Sequence, residues 1–339
     1  MNLGSHLSIS HIFNDLTMGS EFCNLNSKNS RIAASKIILS MRILVTAGSG
    51  LTGNAFQNLS KTKYAGHEFF FHTKSKGDLS MPDVFRLLLA NVKPDVIIHN
   101  AAKLHGSFAS RENIEESKSI NTKIFENLVK ELLPFQKVYC LSSYHVFASS
   151  APFHFLDLES LNWNTSYAQE KSRQIEKAAS HPNVNFIILP HLFGAYDNFS
   201  PGRAHFVANS IKRVVTAQKQ SDAQIEFFRG TDRILQFSTA ELVADFTLKT
   251  IFSDLALEER YINANLGWVR TCLEVFESIC GIVGFDGLVV PVNPDKDPFE
   301  RNMYFSSSTN PNNLDELEFL KSLRTAVDYF KRGEDVYVV

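Results

Sequence analysis

From Met41 onward, apolar residues fall into short β-branched and aromatic runs that alternate with segments of helical period. Arg42-Ile43-Leu44-Val45-Thr46 is the first run. Glu68-Phe69-Phe70-Phe71, Asp95-Val96-Ile97-Ile98-His99, Lys137-Val138-Tyr139-Cys140-Leu141 and Asn185-Phe186-Ile187-Ile188-Leu189 repeat the theme. Runs this short and this apolar suit strands buried on both faces. Between the third and fourth, residues 112–132 place Ile120, Ile124, Leu128 and Leu132 in one row at four-residue spacing, which predicts a helix. Strands alternating with helices at these intervals predict an α/β fold, a parallel sheet with helices on both faces. Ligands of such sheets gather at the carboxyl ends of the strands.

The alternation fades after Pro190. Tyr196-Asp197-Asn198-Phe199-Ser200-Pro201-Gly202 is a turn-rich loop, and Phe206 to Lys219 is a basic helical segment. Residues 225–239, 260–266 and 287–292 hold further short strands, and 314–331 an amphipathic helix. There is no internal repeat. Residues 1–40 are rich in Ser and Asn and lack a basic start followed by a long apolar run, so they read as a flexible or artefactual leader rather than a secretory signal.

Composition removes several classes of function. The 339 residues are 44% hydrophobic and 21% charged, enough for a large core. A net charge of -2 offers no basic surface for nucleic acid, and no apolar run approaches the roughly 18 residues of a membrane span. Cys23, Cys140, Cys272 and Cys280 lack C-x-x-C spacing; they fit reduced thiols of a cytoplasmic protein, with no metal site.

The chemistry collects at the predicted carboxyl edge. After the first strand comes Ala47-Gly48-Ser49-Gly50-Leu51-Thr52-Gly53 and then a helical stretch. Strand, glycine-rich turn and helix together suit a dinucleotide, because the backbone can approach a pyrophosphate and the helix N-terminus supplies N–H donors. That context makes the sheet a doubly wound, Rossmann-type one. The second strand ends in Lys74 and Lys76 rather than an acid; cations there suit the extra phosphate of NADP. The small Ala101 and Ala102 after the third strand, and Pro190 and Leu192 after the fifth, would pass close to the same ligand. Ser143 ends the fourth strand. Downstream, Tyr167 precedes Lys171 by four residues, one turn of a helix. A phenol beside an ammonium gives up its proton more readily than a free one, so the pair suits acid–base work. By itself the spacing more often marks a solvated helix face.

Together these pieces resemble the extended short-chain dehydrogenase/reductases, and within them the GDP-L-fucose synthase branch. The resemblance rests on residues 45–53, Ala101-Ala102-Lys103, Cys140-Leu141-Ser142-Ser143, Tyr167 with Lys171, the Phe193-to-Phe199 loop followed by His205, and Gly230 to Leu242. It implies NADP(H) as cofactor and a GDP-sugar as substrate. The implied reaction is epimerisation and reduction of GDP-4-keto-6-deoxymannose by a cytoplasmic homodimer paired through the helices of 112–132 and 166–180. Residues 41–190 would be the NADP-binding Rossmann domain and 191–339 mainly a smaller α/β substrate-binding domain, with some segments returning to the main sheet. Ser143, Tyr167 and Lys171 take the reduction roles. His205 takes one epimerisation role, and His145 stands where the branch has a cysteine. Lys171 also meets the cofactor, and Asn198, Arg213, Arg233 and Arg301 the substrate. Three positions depart from the branch: Ala47 replaces a glycine, His145 the cysteine, and Leu235 an arginine that grips the diphosphate. Two rival readings are a reductase or epimerase of another nucleotide sugar and a non-catalytic binding or regulatory subunit on the same fold.

Overall fold

The computed structural model describes residues 40–103, 111–154, 156, 158–200, 203–228, 230–253, 259–292, 301–306 and 315–333. Contacts divide the chain into Met1–Leu39 and Ser40–Val339, and every described residue belongs to the second unit. The expected leader thus lies outside the described residues, apart from Ser40.

The first half alternates strictly. β1 (Arg42–Val45), α1 (Leu51–Lys61), β2 (Glu68–Phe71), α2 (Pro82–Val92), β3 (Val96–His99), α3 (Arg111–Glu131), β4 (Lys137–Ser143), α4 (Ser166–Lys177) and β5 (Val184–Leu189) follow in order. The sheet order is β2-β1-β3-β4-β5, extended by β9 (Tyr261–Asn263) beyond β5, and every pair in it is parallel. The order reverses between β1 and β3, and a crevice at such a reversal is where doubly wound sheets bind ligands.

Successive side chains of each strand go to opposite faces. Ile43, Val45, Ile98, Tyr139, Leu141 and Ile187 pack with Ala55 and Phe56 of α1 and with Val243 and Leu248 of α6 (Ala240–Phe252). Leu44, Ile97, Val138, Cys140, Phe186 and Ile188 face the other way, onto Phe85 of α2 and Phe125 and Leu128 of α3. Ile124 and Leu128 of the expected helical row are buried; Ile120 and Leu132 pack partly buried at its ends.

Beyond Pro190 the chain is more regular than its pattern suggests. β6 (His191–Phe193), α5 (Phe206–Gln220), β7 (Gln224–Phe227), β8 (Ile234–Thr239), α6, β9, β10 (Trp268–Thr271), α7 (Cys272–Val283), β11 (Leu288–Pro291) and α8 (Glu316–Gly333) complete the chain. β6 and β10 flank β8 in a three-stranded sheet, and β11 pairs with β7. The helices α6 and α7 had no counterpart in the expected elements. Each begins directly at a strand end: Thr239 closes β8 and caps α6, and Thr271 closes β10 and opens α7 with a reciprocal capping box to Glu274. No Gly or Pro marks either boundary, so a threonine carries both signals.

Candidate active site

The glycine turn lies at the carboxyl end of β1. Gly53, in the first turn of α1, lies so close to the strand end that an added Cβ would stand 2.3 Å from the Ala47 carbonyl oxygen. Only glycine permits that approach. Ala47 itself adopts φ +54°, a left-handed conformation that costs a non-glycine residue about 1–2 kcal/mol. The departure from glycine at this position is therefore felt in the backbone. Gly48 accepts from Gln57 Nε2 at 2.7 Å, and Asn54 Nδ2 donates to the Ser49 and Gly50 carbonyls at 2.9 and 3.0 Å, which fixes the turn. The first turn of α1, starting at Leu51, has no capping side chain and no acidic residue, so its positive end is not spent within the protein.

Around it lie the other expected cofactor residues. Lys74 and Lys76 form an exposed 3-10 turn just after β2. Lys74 pairs with Asp78 at 3.8 Å, and Lys76 donates to the Phe71 carbonyl at 2.8 Å. Past β3, Thr46 Oγ1 accepts from the backbone N–H of Asn100 at 2.9 Å and of Ala101 at 3.0 Å. That anchors the Ala101-Ala102 segment to the end of β1. Pro190 is buried between β5 and β6, and Leu192 of β6 packs against the α1 face of the sheet.

The expected reduction residues come together on β4 and α4. Thr165 caps α4 by accepting from Ala168 N at 3.2 Å, which sets Tyr167 in the first turn and Lys171 one turn on. Lys171 is buried, with Nζ 5.9 Å from the centre of the Tyr167 ring. Ser143 is buried at the end of β4, and its Oγ accepts from the His145 N–H at 3.4 Å. His145 occupies a 3-10 turn directly after the strand, its ring edge-on to Tyr167 at 5.4 Å. Arg301 joins this cluster from the far end of the chain, donating to the carbonyls of Ser149 at 3.2 Å and His145 at 3.5 Å. Arg233 is buried beside Tyr144: burial pushes the Tyr144 phenol up, and the nearby Arg233 charge pulls it back.

His205 belongs to a second cluster, at the start of α5. Its Nδ1 meets Asp197 Oδ1 at 3.4 Å. Burial of the ring opposes its protonated form, but the hydrogen bond and charge of Asp197 outweigh this and raise the imidazole above its ordinary value. Asn198 is exposed in the same loop, its Oδ1 accepting from Ser200 N at 2.9 Å. Arg213 lies further along α5. It donates to the Glu226 carbonyl on β7 and stacks on Phe228 at 4.7 Å, so the structure employs it in joining α5 to β7. Leu235 is buried and bridges Met303, so the place of the absent arginine is filled by packing.

Three residues that hold these clusters drew no prediction from the sequence. Asn121 of α3 brackets Lys103, accepting from its N–H at 2.6 Å and donating to its carbonyl at 3.0 Å. The same amide donates to Glu170 at 2.8 Å, next to Lys171 and buried. Asp197 is the third. A carboxylate adjacent to Lys171 in sequence was visible; its inward direction was not.

Comparison with known proteins adds an independent line. The model of the NAD dependent epimerase/dehydratase family matches residues 43–254. The chain is 26% identical over 264 residues to GDP-L-colitose synthase of Yersinia pseudotuberculosis, covering 74% of this chain and 84% of that one. It is 24% identical over 270 residues to a probable GDP-L-fucose synthase of Drosophila melanogaster, with coverage of 74% and 84%. The crystal structure of a GDP-L-fucose synthetase from Naegleria fowleri bound to NADP superposes with a TM-score of 0.72 at 22% identity, over 86% of this chain and 93% of that one. At that identity the likeness speaks for the fold, and it agrees with the doubly wound sheet.

Proposed function

The chain belongs to the NAD dependent epimerase/dehydratase family, and we propose that it is an NADP(H)-dependent epimerase/reductase that converts GDP-4-keto-6-deoxy-D-mannose to GDP-L-fucose. The observation that carries this reading is the edge-on contact of His145 with Tyr167 at 5.4 Å, beside Ser143 and the buried Lys171. A reductase needs one proton donor at the ketone oxygen. A second acid–base group packed against that donor suits proton exchange at a neighbouring carbon.

NADP(H) fits the residues present. The first turn of α1 offers N–H groups uncommitted to any side chain, suited to a pyrophosphate, and Lys74 and Lys76 offer cations for an additional phosphate. When bound, the dinucleotide supplies the hydride that reduces the sugar ketone. The protein does the rest. The Ser143 hydroxyl, whose oxygen already accepts from His145 N–H, donates a hydrogen bond to the ketone oxygen and holds it in place. His145 and His205 take and return protons at the two carbons flanking that ketone. Tyr167 donates to the same oxygen during reduction, and the Lys171 ammonium favours the phenolate left behind. Arg233 and Arg301 meet the diphosphate charge in place of the arginine that Leu235 displaces, and Arg213 and Asn198 contact the nucleotide part. Residues 41–190 form the cofactor-binding part and 191–339 most of the substrate-binding part. The protein is a homodimer through α3 and α4, which light scattering checks.

The test is direct. Purified protein, GDP-4-keto-6-deoxymannose and NADPH should give loss of the nicotinamide absorbance and a product that co-elutes with GDP-L-fucose. No absorbance loss sinks the proposal. Turnover to a different product supports the second reading, another nucleotide sugar on the same machinery, which the packing of Leu235 in place of a cation favours.

A further inference from the structure

We propose that Asp197 is a positioning residue for His205, holding the proton on Nδ1 so that Nε2 is presented as the working acid–base nitrogen. The assignment rests on the proposed role of His205 in proton exchange, but its geometry stands on its own. Asp197 is buried, its side chain only 3% exposed, while that of His205 is 40% exposed. The Nδ1 side of the ring is held by a buried carboxylate, while the side chain as a whole stays partly exposed. His205 is the residue that precedes α5, a common capping position, yet its side chain makes no capping bond to the helix. Asp197 Oδ1 accepts from the Asn198 N–H at 2.7 Å and meets His205 Nδ1 at 3.4 Å.

The loop's backbone uses only one of the two carboxylate oxygens, Oδ1. Its second oxygen, Oδ2, is buried without a hydrogen-bond partner among the described residues. A buried carboxylate oxygen left so costs stability. An asparagine would keep the bond to Asn198 N–H without burying a charge, so the charge itself is what the site retains. A carboxylate on Nδ1 fixes the tautomer and favours the imidazolium. The loop that carries it is braced by α8, with Tyr196 stacked on Tyr329 at 4.7 Å and Phe199 on Phe330 at 4.7 Å.

The surroundings leave Asp197 as the dominant charge on the ring. His191 of β6 stands edge-on at 6.1 Å. On α5, Lys212 points to the Phe199 carbonyl at 3.3 Å and Arg213 to the Glu226 carbonyl. Arg203, two residues upstream, is exposed.

The experiment follows the His205 ring by NMR in the full chain carrying 13C-labelled histidine, its signal identified by its absence in His205→Gln. Asp197→Asn keeps the shape and removes the charge; the His205 midpoint should fall by about one unit or more. Asp197→Ala removes the partner, and the neutral ring should move from the Nδ1–H to the Nε2–H tautomer. In parallel, wash-in of solvent deuterium into GDP-4-keto-6-deoxymannose should slow by about ten-fold or more in Asp197→Asn, with its pH profile displaced along with the midpoint. A His205 midpoint and tautomer unchanged in both variants overturn the proposal, whatever their thermal stability. Absence of wash-in by the unaltered protein overturns the proposed function instead, and the NMR result still decides the pairing.

Discussion

His99 ends β3 with its ring between those of Phe85 and Phe125, at centroid distances of 6.4 and 6.1 Å, and is only 4% exposed. Burial, and after it the positive charge of Lys171, holds its imidazole well below the ordinary 6.5, at about 3. The hydrogen bonds require the same state. Thr46 Oγ1 already accepts from Asn100 and Ala101, so its single proton goes to His99 Nδ1 at 3.3 Å, and that nitrogen must be bare. The sign of the linkage follows. The unfolded chain binds a proton near pH 6.5, whereas the folded chain binds it only near 3. Stability from this group is therefore complete above about pH 6.5 and is lost as pH falls toward 3. At about 1.4 kcal/mol per unit, a drop to about pH 5 costs about 2 kcal/mol, a sizeable part of the about 5–15 kcal/mol that holds a typical domain. Urea unfolding followed by circular dichroism, at about pH 7.5 and about pH 5, reads this out in the native chain and in His99→Asn. The amide keeps an acceptor for Thr46 but does not titrate. At about pH 7.5 the variant should be weaker by about 2–3 kcal/mol, because part of the ring's packing is lost. Its further loss on acidification should be smaller than the native chain's by about 2 kcal/mol. Parallel losses in the two proteins would refute the argument.

Ala47→Gly should raise stability by about 0.5–1 kcal/mol, measured by denaturant midpoint, since it relieves a left-handed alanine at φ +54° against some added chain entropy; a drop would mean that the methyl is needed for packing. Gly267→Ala should abolish folding or cost more than about 3 kcal/mol, because φ is +93° and the new Cβ would lie 1.9 Å from the Phe237 carbonyl oxygen. A native-like melt in that variant would show that β8 and β10 can separate cheaply. Arg260→Ala should cost about 2–3 kcal/mol in chemical denaturation. Its guanidinium donates to the carbonyls of Val184 at 3.1 Å, Ala179 at 3.4 Å, His181 at 3.1 Å and Ala178, which tie the end of α4 to β5. A loss below about 0.5 kcal/mol would mean that water replaces it at those carbonyls.

The main sheet was legible because its inner strands are buried on both faces. All four residues of Val96–His99 are buried, and such a strand is written as an apolar run, here closed by His99. The glycine turn was legible because Gly53 meets the backbone of Ala47, a steric demand that one residue type answers. The second half was less so. β6 follows β5 after Pro190 alone, and α6 starts where β8 stops. Its strands, three to six residues long, sit in sheets of two or three strands, apart from β9 at the edge of the main sheet, and leave too short a period to read. The Thr271-to-Glu274 capping signal was present in the sequence, and its helix is as apolar as a strand, with Cys272, Val275, Phe276, Ile279 and Cys280 buried.

The polar contacts of the site were hidden for a different reason, and α4 shows it best. By hydrophobic period this helix reads as solvated: its sequence is SYAQEKSRQIEK. Yet its buried positions are Ala168, Glu170, Lys171, Ser172, Gln174 and Ile175, so most of what it turns inward is polar. Burying such groups is tolerable only where each finds a partner. Ser172 donates to the Asn162 carbonyl at 3.0 Å, and Glu170 accepts from Asn121 at 2.8 Å. Those partners lie 10 and 49 residues away in the chain, beyond the reach of any periodic pattern. The sequence offers only the negative half of this evidence: a helix without an apolar stripe, wedged between two strands of a buried parallel sheet, which nonetheless has to pack. A helix in that position is forced to bury polar side chains, and in this one they surround Lys171. The mismatch between pattern and position is therefore itself a pointer to the site, available before any motif is consulted.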